Sequence, residues 1–237
     1  MIRKLLRPLI CALGLLMAAA LVVSNLSPSD RSIKDRVVKL AGPEHGSCTG
    51  EQVRAPSGVD YILTAAHCRI LEKNGSIIVI DEAGHRLMRR VLAEDPTSDL
   101  LLLEGLPNVT GLKIAKHAYR SEHLRSFTHG GGMSTYKTEG EAIGVYRDMV
   151  MVRILESAKD AEECVSMPKY MVVDMLLFKV CVLSVEFMAS TVQVIPGSSG
   201  GPVVNRSGDL VGVVSALGGP TSYLVRLNDI QDFLAGY

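Results

Sequence analysis

A serine, a histidine and an aspartate of this chain occupy settings their residue types do not usually choose. Ser199 lies in PGSSGGPVV (196–204), where two serines and three glycines interrupt the apolar text of Val192–Ile195 and Val203–Val204. Glycine clusters ordinarily mark turns or linkers. A linker is rarely flanked so closely by β-branched residues. The other use for such glycines is a tight turn that brings bare backbone N–H groups up to a ligand. His67 ends the apolar run YILTAAHC (61–68) beside Cys68, and Asp99 opens DLLLLE (99–104). A serine hydroxyl is a weak nucleophile until a base removes its proton, and that base works best when a third group orients it. Taken singly, each residue has an ordinary reading: a Gly/Ser turn, a satisfied core histidine, a surface aspartate leading a strand. Asp95, in the turn-like EDPTS, is the rival carboxylate.

Positioning such residues requires a framework, and the apolar runs supply one. YILTAA (61–66), SIIVID (76–81), DLLLLE, MVMVRIL (149–155), YMVVDMLLF (170–178) and LVGVVSAL (210–217) are Val-, Ile- and Leu-rich and short for helices. Turn signals separate them, among them Asn74-Gly75, Ala83-Gly84, Gly130-Gly131-Gly132 and Ser207-Gly208-Asp209. Many short strands at this spacing predict an all-β sandwich or barrel. GHRLMRRVL (84–92) reads as a solvated strand or loop. One helix is expected, over 228–236, with Asn228 as cap, Ile230, Phe233 and Leu234 on one face and Gly236 at its end. The polar stretch 111–132 is placed to join two halves.

The chain has 237 residues, 47% of them hydrophobic, and a formal net charge of zero. That is normal for a folded protein. No basic stripe favours nucleic acid, and Trp is absent. The N-terminus differs from the rest. Arg3, Lys4 and Arg7 precede an uncharged stretch from Pro8 to Ser29 with the apolar heart LICALGLLMAAALVV (9–23). Residues 1–24 are expected to be a cleaved signal peptide or, with 8–29 in the bilayer, a retained anchor, and 25–33 a linker. Either reading exports the remainder to the periplasm or the exterior. Cys48, Cys68, Cys164 and Cys181 then form an even set in an oxidising compartment, which favours disulfides. Four cysteines allow three connectivities. The sequential pairing, 48 with 68 and 164 with 181, is the one chosen, and each such loop contributes on the order of 3 kcal/mol.

Together, LTAAHC (63–68), Asp99 before a leucine strand and GSSGGPVV (197–204) resemble the three motifs of the chymotrypsin-like serine proteases, in that family's order. GDLVGVVS (208–215) after the serine extends the likeness. The resemblance covers residues 34 to 237, and the bacterial branch without a zymogen looks nearest. It implies two perpendicular antiparallel six-stranded β-barrels, about 34–115 and 120–237, with the site between them and a short C-terminal helix. It implies a serine endopeptidase acting on protein or peptide substrates. Ser199 would be the nucleophile, His67 the base and Asp99 its orienting group, with the N–H groups of Gly197 and Ser199 as oxyanion hole. The specificity pocket would include Gln193, Val194, Ser215, Ala216 and Leu217. From Phe187 to Ser198 there is no acidic residue to pair a substrate Lys or Arg, and Leu217 would obstruct a large aromatic side chain, so cleavage after small or medium aliphatic residues such as Ala or Val is expected. In the digestive branch an aspartate precedes the nucleophile and pairs with a new N-terminal ammonium. Here Ser198 stands there, so no activation by N-terminal insertion is expected.

Two other chemistries share residue types with this chain. GSSGG and His129-Gly130-Gly131-Gly132 also match the nucleophile elbow and oxyanion motif of esterases. That fold needs a histidine after its serine, and none follows His129. His117, His123 and His129 lack the i, i+4 spacing of helical metal sites, so neither a metal nor another cofactor is expected. A catalytically inactive relative that keeps the fold and only binds peptides or proteins is the alternative to an enzyme.

Overall fold

A computed structural model describes residues 28–42, 46–155, 159, 162, 164, 170–174 and 179–237. The expected signal or anchor over 1–24 lies outside these residues. Among the described residues no helix is long and apolar enough to cross a membrane.

Strands β1 (Val37–Ala41), β2 (Ser47–Arg54), β3 (Asp60–Thr64), β4 (Ser76–Ile80), β5 (Arg86–Asp95) and β6 (Leu100–Glu104) close into an antiparallel barrel in the order β1-β2-β3-β6-β5-β4. The remaining strands are β7 (His123–Thr128), β8 (Tyr136–Leu155), β9 (Tyr170–Asp174), β10 (Lys179–Ser190), β11 (Pro202–Val204), β12 (Leu210–Gly218) and β13 (Thr221–Arg226). They run β13-β12-β11-β7-β8-β10-β9, and a β10–β13 pairing closes six of them into a second barrel. Strand β9 is appended to the Lys179–Leu183 half of β10, and β13 to its Phe187–Ser190 half. The fold class is the one expected.

The four leucines of β6 show why its sequence is apolar without alternation. Leu101 and Leu103 pack inside the first barrel with Val38, Leu40, Ile62, Ile77 and Val79. Leu100 and Leu102 face the other way, joining Phe127, Val204, Leu210, Val213 and Val225 between the barrels. A strand buried on both faces has no polar side to alternate with. Strand β5 is the opposite case, with Arg86, Met88 and Arg90 exposed along one face, as its basic residues foretold. Both expected disulfides are present, Cys48–Cys68 and Cys164–Cys181.

Two described helices flank the barrels. Helix α1 (Pro28–Lys34) falls mostly where the sequence reads as linker, yet its Ile33 is buried in the inter-barrel core. Its Asp30 is also buried, paired with Arg125 at 2.5 Å and Lys137 at 3.0 Å. Helix α2 (Leu227–Leu234) begins one residue before the expected start, so Asn228 is not its cap. The N-cap is Arg226, which makes no capping side-chain bond and instead pairs with Asp229 in the first turn. Leu227, Ile230 and Leu234 form the buried stripe, with Phe233 only partly covered.

Candidate active site

His67 leaves β3 in a 3₁₀ turn over Ala66–Leu71. Ala66, Cys68 and Leu71 are buried on the inner face of that turn, which leaves His67 outside. The Cys68–Cys48 disulfide ties the turn to β2. Asp99, just before β6, takes φ +55°, a left-handed conformation that costs most non-glycine residues about 1 kcal/mol or more. The strain is offset by what the carboxylate gathers. It accepts the His67 backbone N–H at 3.0 Å and lies 3.0 and 3.1 Å from His67 Nδ1. It also accepts the Ser215 hydroxyl at 2.5 Å.

A carboxylate only accepts, so Nδ1 carries the proton and the Nε2 lone pair of the neutral ring is left outward. The bond to Asp99 outweighs burial and raises the pKa of His67 above 6.5. Asp95, the rival, turns inward on its own loop and accepts the Thr97 N–H and hydroxyl and the Ser98 N–H. Ser215, expected in the pocket wall, donates its hydroxyl to Asp99. The register of β12 against β13 slips between Val214 and Ala216, so Ser215 is the extra residue of a bulge. Bulges re-aim side chains in this way.

Ser199 is the second residue of the latter of two consecutive tight turns that share Ser198. In Ile195–Ser198 the Ser198 N–H donates to the Ile195 carbonyl at 2.9 Å, with Pro196 second and Gly197 third at φ +93°. In Ser198–Gly201 the Gly201 N–H donates to the Ser198 carbonyl at 2.9 Å, with Gly200 third at φ +80°. A positive φ at the third position is the mark of a type II turn and requires glycine. Bonds to both barrels clamp the loop. The Thr49 N–H donates to the Ser199 carbonyl at 2.8 Å, and the Gly200 N–H to the Val214 carbonyl at 2.7 Å. A Cβ at Gly200 would overlap Thr64 Oγ1 and the Thr49 carbonyl and stand 2.8 Å from Ala65 N. Ser199 is therefore held against the segment that leads into His67. The first barrel contributes His67 and Asp99, the second Ser199 and Ser215.

Ser198 and Gly201 use their N–H groups within the loop, and Gly200 donates its own to Val214 on β12. Among the described residues, the N–H groups of Gly197 and Ser199 donate to no protein acceptor, and the Ser199 hydroxyl is likewise unbonded. Cys48, His67 and Cys68 bring three metal-type donor atoms within 4.8 Å. Both sulfurs are committed to the disulfide, so no thiolate is offered there.

The sequence profile of the trypsin-like peptidase domain matches residues 48–213. The chain belongs to that family. The trypsin-like peptidase fold is also that of the active-form Rv3671c protease from M. tuberculosis, 18% identical over 88% of this chain and 83% of that one, with a TM-score of 0.65. A serine endoprotease from Yersinia pestis is 14% identical over 88% of this chain and 65% of that one, with a TM-score of 0.60. No curated protein sequence matches the chain.

In this trypsin-like domain the remaining expected pocket residues are spread out. Gln193 is exposed, its amide donating to the Thr191 carbonyl at 3.3 Å, while Val194 is buried in the second barrel. Ala216 and Leu217 are exposed along β12. Beside them a Cβ at Gly218 would come within 2.6 Å of the Tyr223 ring. Sequence reasoning missed a set of hydroxyls altogether. Ser198 is 1% exposed, and its Oγ lies 3.0 Å from Thr128 Oγ1 and 2.9 Å from Tyr136 OH. The partners come from two strand ends 70 and 62 residues away, a separation that carries no local pattern.

Proposed function

We propose that this peptidase is a serine endopeptidase that works outside the cytoplasm through Ser199, His67 and Asp99. Ser199 Oγ attacks the scissile carbonyl while His67 Nε2 takes its proton, and Asp99 steadies the imidazolium. The carbonyl oxygen, now negative, is received by the N–H groups of Gly197 and Ser199. Collapse expels the amine, which takes the proton from His67 and leaves an acyl-enzyme. Water, deprotonated by the same nitrogen, then releases the acid and restores Ser199.

The observation that carries the reading is that, among the described residues, the N–H groups of Gly197 and of the clamped Ser199 donate to no protein acceptor, while Asp99 sets the tautomer of His67 at the end of the segment that Gly200 packs against. Preorganised donors of this kind supply the largest single part of such rate enhancements. Strand β12 gives the substrate a place to lie. Among the described residues Ala216–Gly218 pair only with β13, since β11 reaches no farther than Val213, so an extended peptide can add to the other edge. Two disulfides support an oxidising compartment. Uncharged Gln193, exposed Leu217 and Tyr223 against Gly218 favour a shallow pocket, hence Ala or Val before the cut. No observation favours the non-catalytic binding module. A peptide-library cleavage profile tests the proposal: products ending in small aliphatic residues support it, and products ending in Lys or Arg refute the pocket.

A further inference from the structure

The Gly197 N–H can serve an oxyanion only if the Pro196–Gly197 peptide faces the right way. That peptide is the central one of a type II turn, the unit that reverses when such a turn becomes type I. A reversal exchanges the directions of the Pro196 carbonyl and the Gly197 N–H. The Pro196 carbonyl opposes it directly by accepting the Gly131 N–H at 2.7 Å. The next peptide is anchored separately, its Gly197 carbonyl accepting the Thr49 hydroxyl at 2.9 Å. Gly131 belongs to the Gly130–Gly132 turn, itself at φ +63°, which joins β7 to β8.

The two turns are seated on each other by the buried hydroxyls. Ser198 Oγ accepts the Ile195 N–H at 3.3 Å, bracing the first turn internally. Its remaining lone pair and its proton serve Thr128 Oγ1 and Tyr136 OH, one donating and one accepting, so its capacity is filled. Thr128 is the last residue of β7 and Tyr136 the first of β8. The hydroxyls thus fasten the mouth of the hairpin that holds Gly131. The fit leaves no room at Gly130, where a Cβ would overlap Ile195 Cγ1 and stand 2.5 Å from Tyr136 OH and 2.8 Å from Ser198 Oγ.

We propose that the Ser198–Thr128–Tyr136 hydroxyl cluster seats the Gly130–Gly132 turn on the Ile195–Ser198 turn, so that the Gly131 N–H holds the Pro196–Gly197 peptide in its oxyanion-binding direction. Ser198 and Tyr136 are then positioning residues, and the glycine run read from sequence as a turn signal is the latch. The inference rests on the serine-peptidase reading above.

The test is Ser198→Ala, Tyr136→Phe and the double variant, assayed on a peptide substrate and with a peptide boronate as tetrahedral analogue. Loss of one oxyanion donor costs about 10²–10³ in kcat, so each single variant should lose roughly ten- to a hundredfold in kcat with KM nearly unchanged. Boronate affinity should fall in parallel. The double variant should lose little more than the worse single one, since both release the same peptide. Unchanged kcat, equal loss of substrate and boronate binding, or additive losses would overturn the proposal. Amide hydrogen exchange over 195–201 reads the same device without turnover and should accelerate in both variants. Unaltered exchange there overturns the latch even if the protein proves inactive, whereas a wild type as silent as Ser199→Ala refutes only the peptidase reading.

Discussion

Replacing Gly200 by alanine should damage the protein far more than the same change at Gly58, and the difference is calculable. Both residues have positive φ, +80° and +86°. An L side chain in that conformation costs roughly 1–2 kcal/mol. At Gly58 a Cβ meets nothing within 4 Å, so the conformational cost is the whole effect. At Gly200 it overlaps Thr64 Oγ1 and the Thr49 carbonyl and crowds Ala65 N, two of the three being backbone atoms of packed segments. Overpacking of that kind adds roughly 1–3 kcal/mol. Gly200→Ala should therefore lose about 2–5 kcal/mol, a large part of the roughly 5–15 kcal/mol that holds a domain together. Urea denaturation of both variants, with m-values compared, measures the difference. Peptidase activity should be lost at Gly200 and kept at Gly58, because the displaced atoms lie beside Ser199 and ahead of His67. Equal destabilisation would refute the claim that the two barrels meet closely at Gly200.

Asp99→Asn should lower kcat by about 10⁴, the cost of the wrong imidazole tautomer in such triads, while Asp95→Asn should leave it nearly unchanged; the reverse ranking in steady-state assays would move the role to Asp95. Because the bond to Asp99 raises the His67 pKa above 6.5 and only neutral imidazole is a base, the acid limb of kcat/KM against pH should have its midpoint above 6.5 and fall back in Asp99→Asn. Glu51 is fully buried on β2 with both carboxylate oxygens unbonded among the described residues, and burial raises its pKa well above 4.5. Its fold is whole while the group is protonated in both states, below the ordinary carboxyl range, and loses stability as pH rises through the raised value. Thermal unfolding of Glu51→Gln should show a gain over wild type that grows as pH rises above the ordinary carboxyl range; a constant difference would show that Glu51 does not titrate in the fold.

The parts of this structure that lay open in the sequence were those with local causes. Short apolar runs became strands because burial and chain reversal are both written within ten residues. Asp99 stood out because a carboxylate opening a four-leucine strand needs a partner, and the structure gives it His67 and Ser215. The glycines at 197 and 200 announced turns because no other residue enters those conformations freely. What stayed hidden depends on long-range packing. Nothing near Ser198 signals Thr128 or Tyr136, and nothing near Ser215 signals a bulge. The expected cap at Asn228 failed because β13 runs directly into α2, leaving Arg226 at the N-terminus. Ile33 and Asp30 read as linker because their partners, the inter-barrel core and Arg125, lie far along the chain.

The central claim is that Ser199 is the nucleophile. It is tested most directly by treating the folded protein with a fluorophosphonate and mapping the adduct by peptide mass spectrometry. One adduct per chain on Ser199, blocked by His67→Ala and absent from Ser199→Ala, is the expected result. An adduct on Ser198 or another residue, or full peptidase activity in Ser199→Ala, would contradict it.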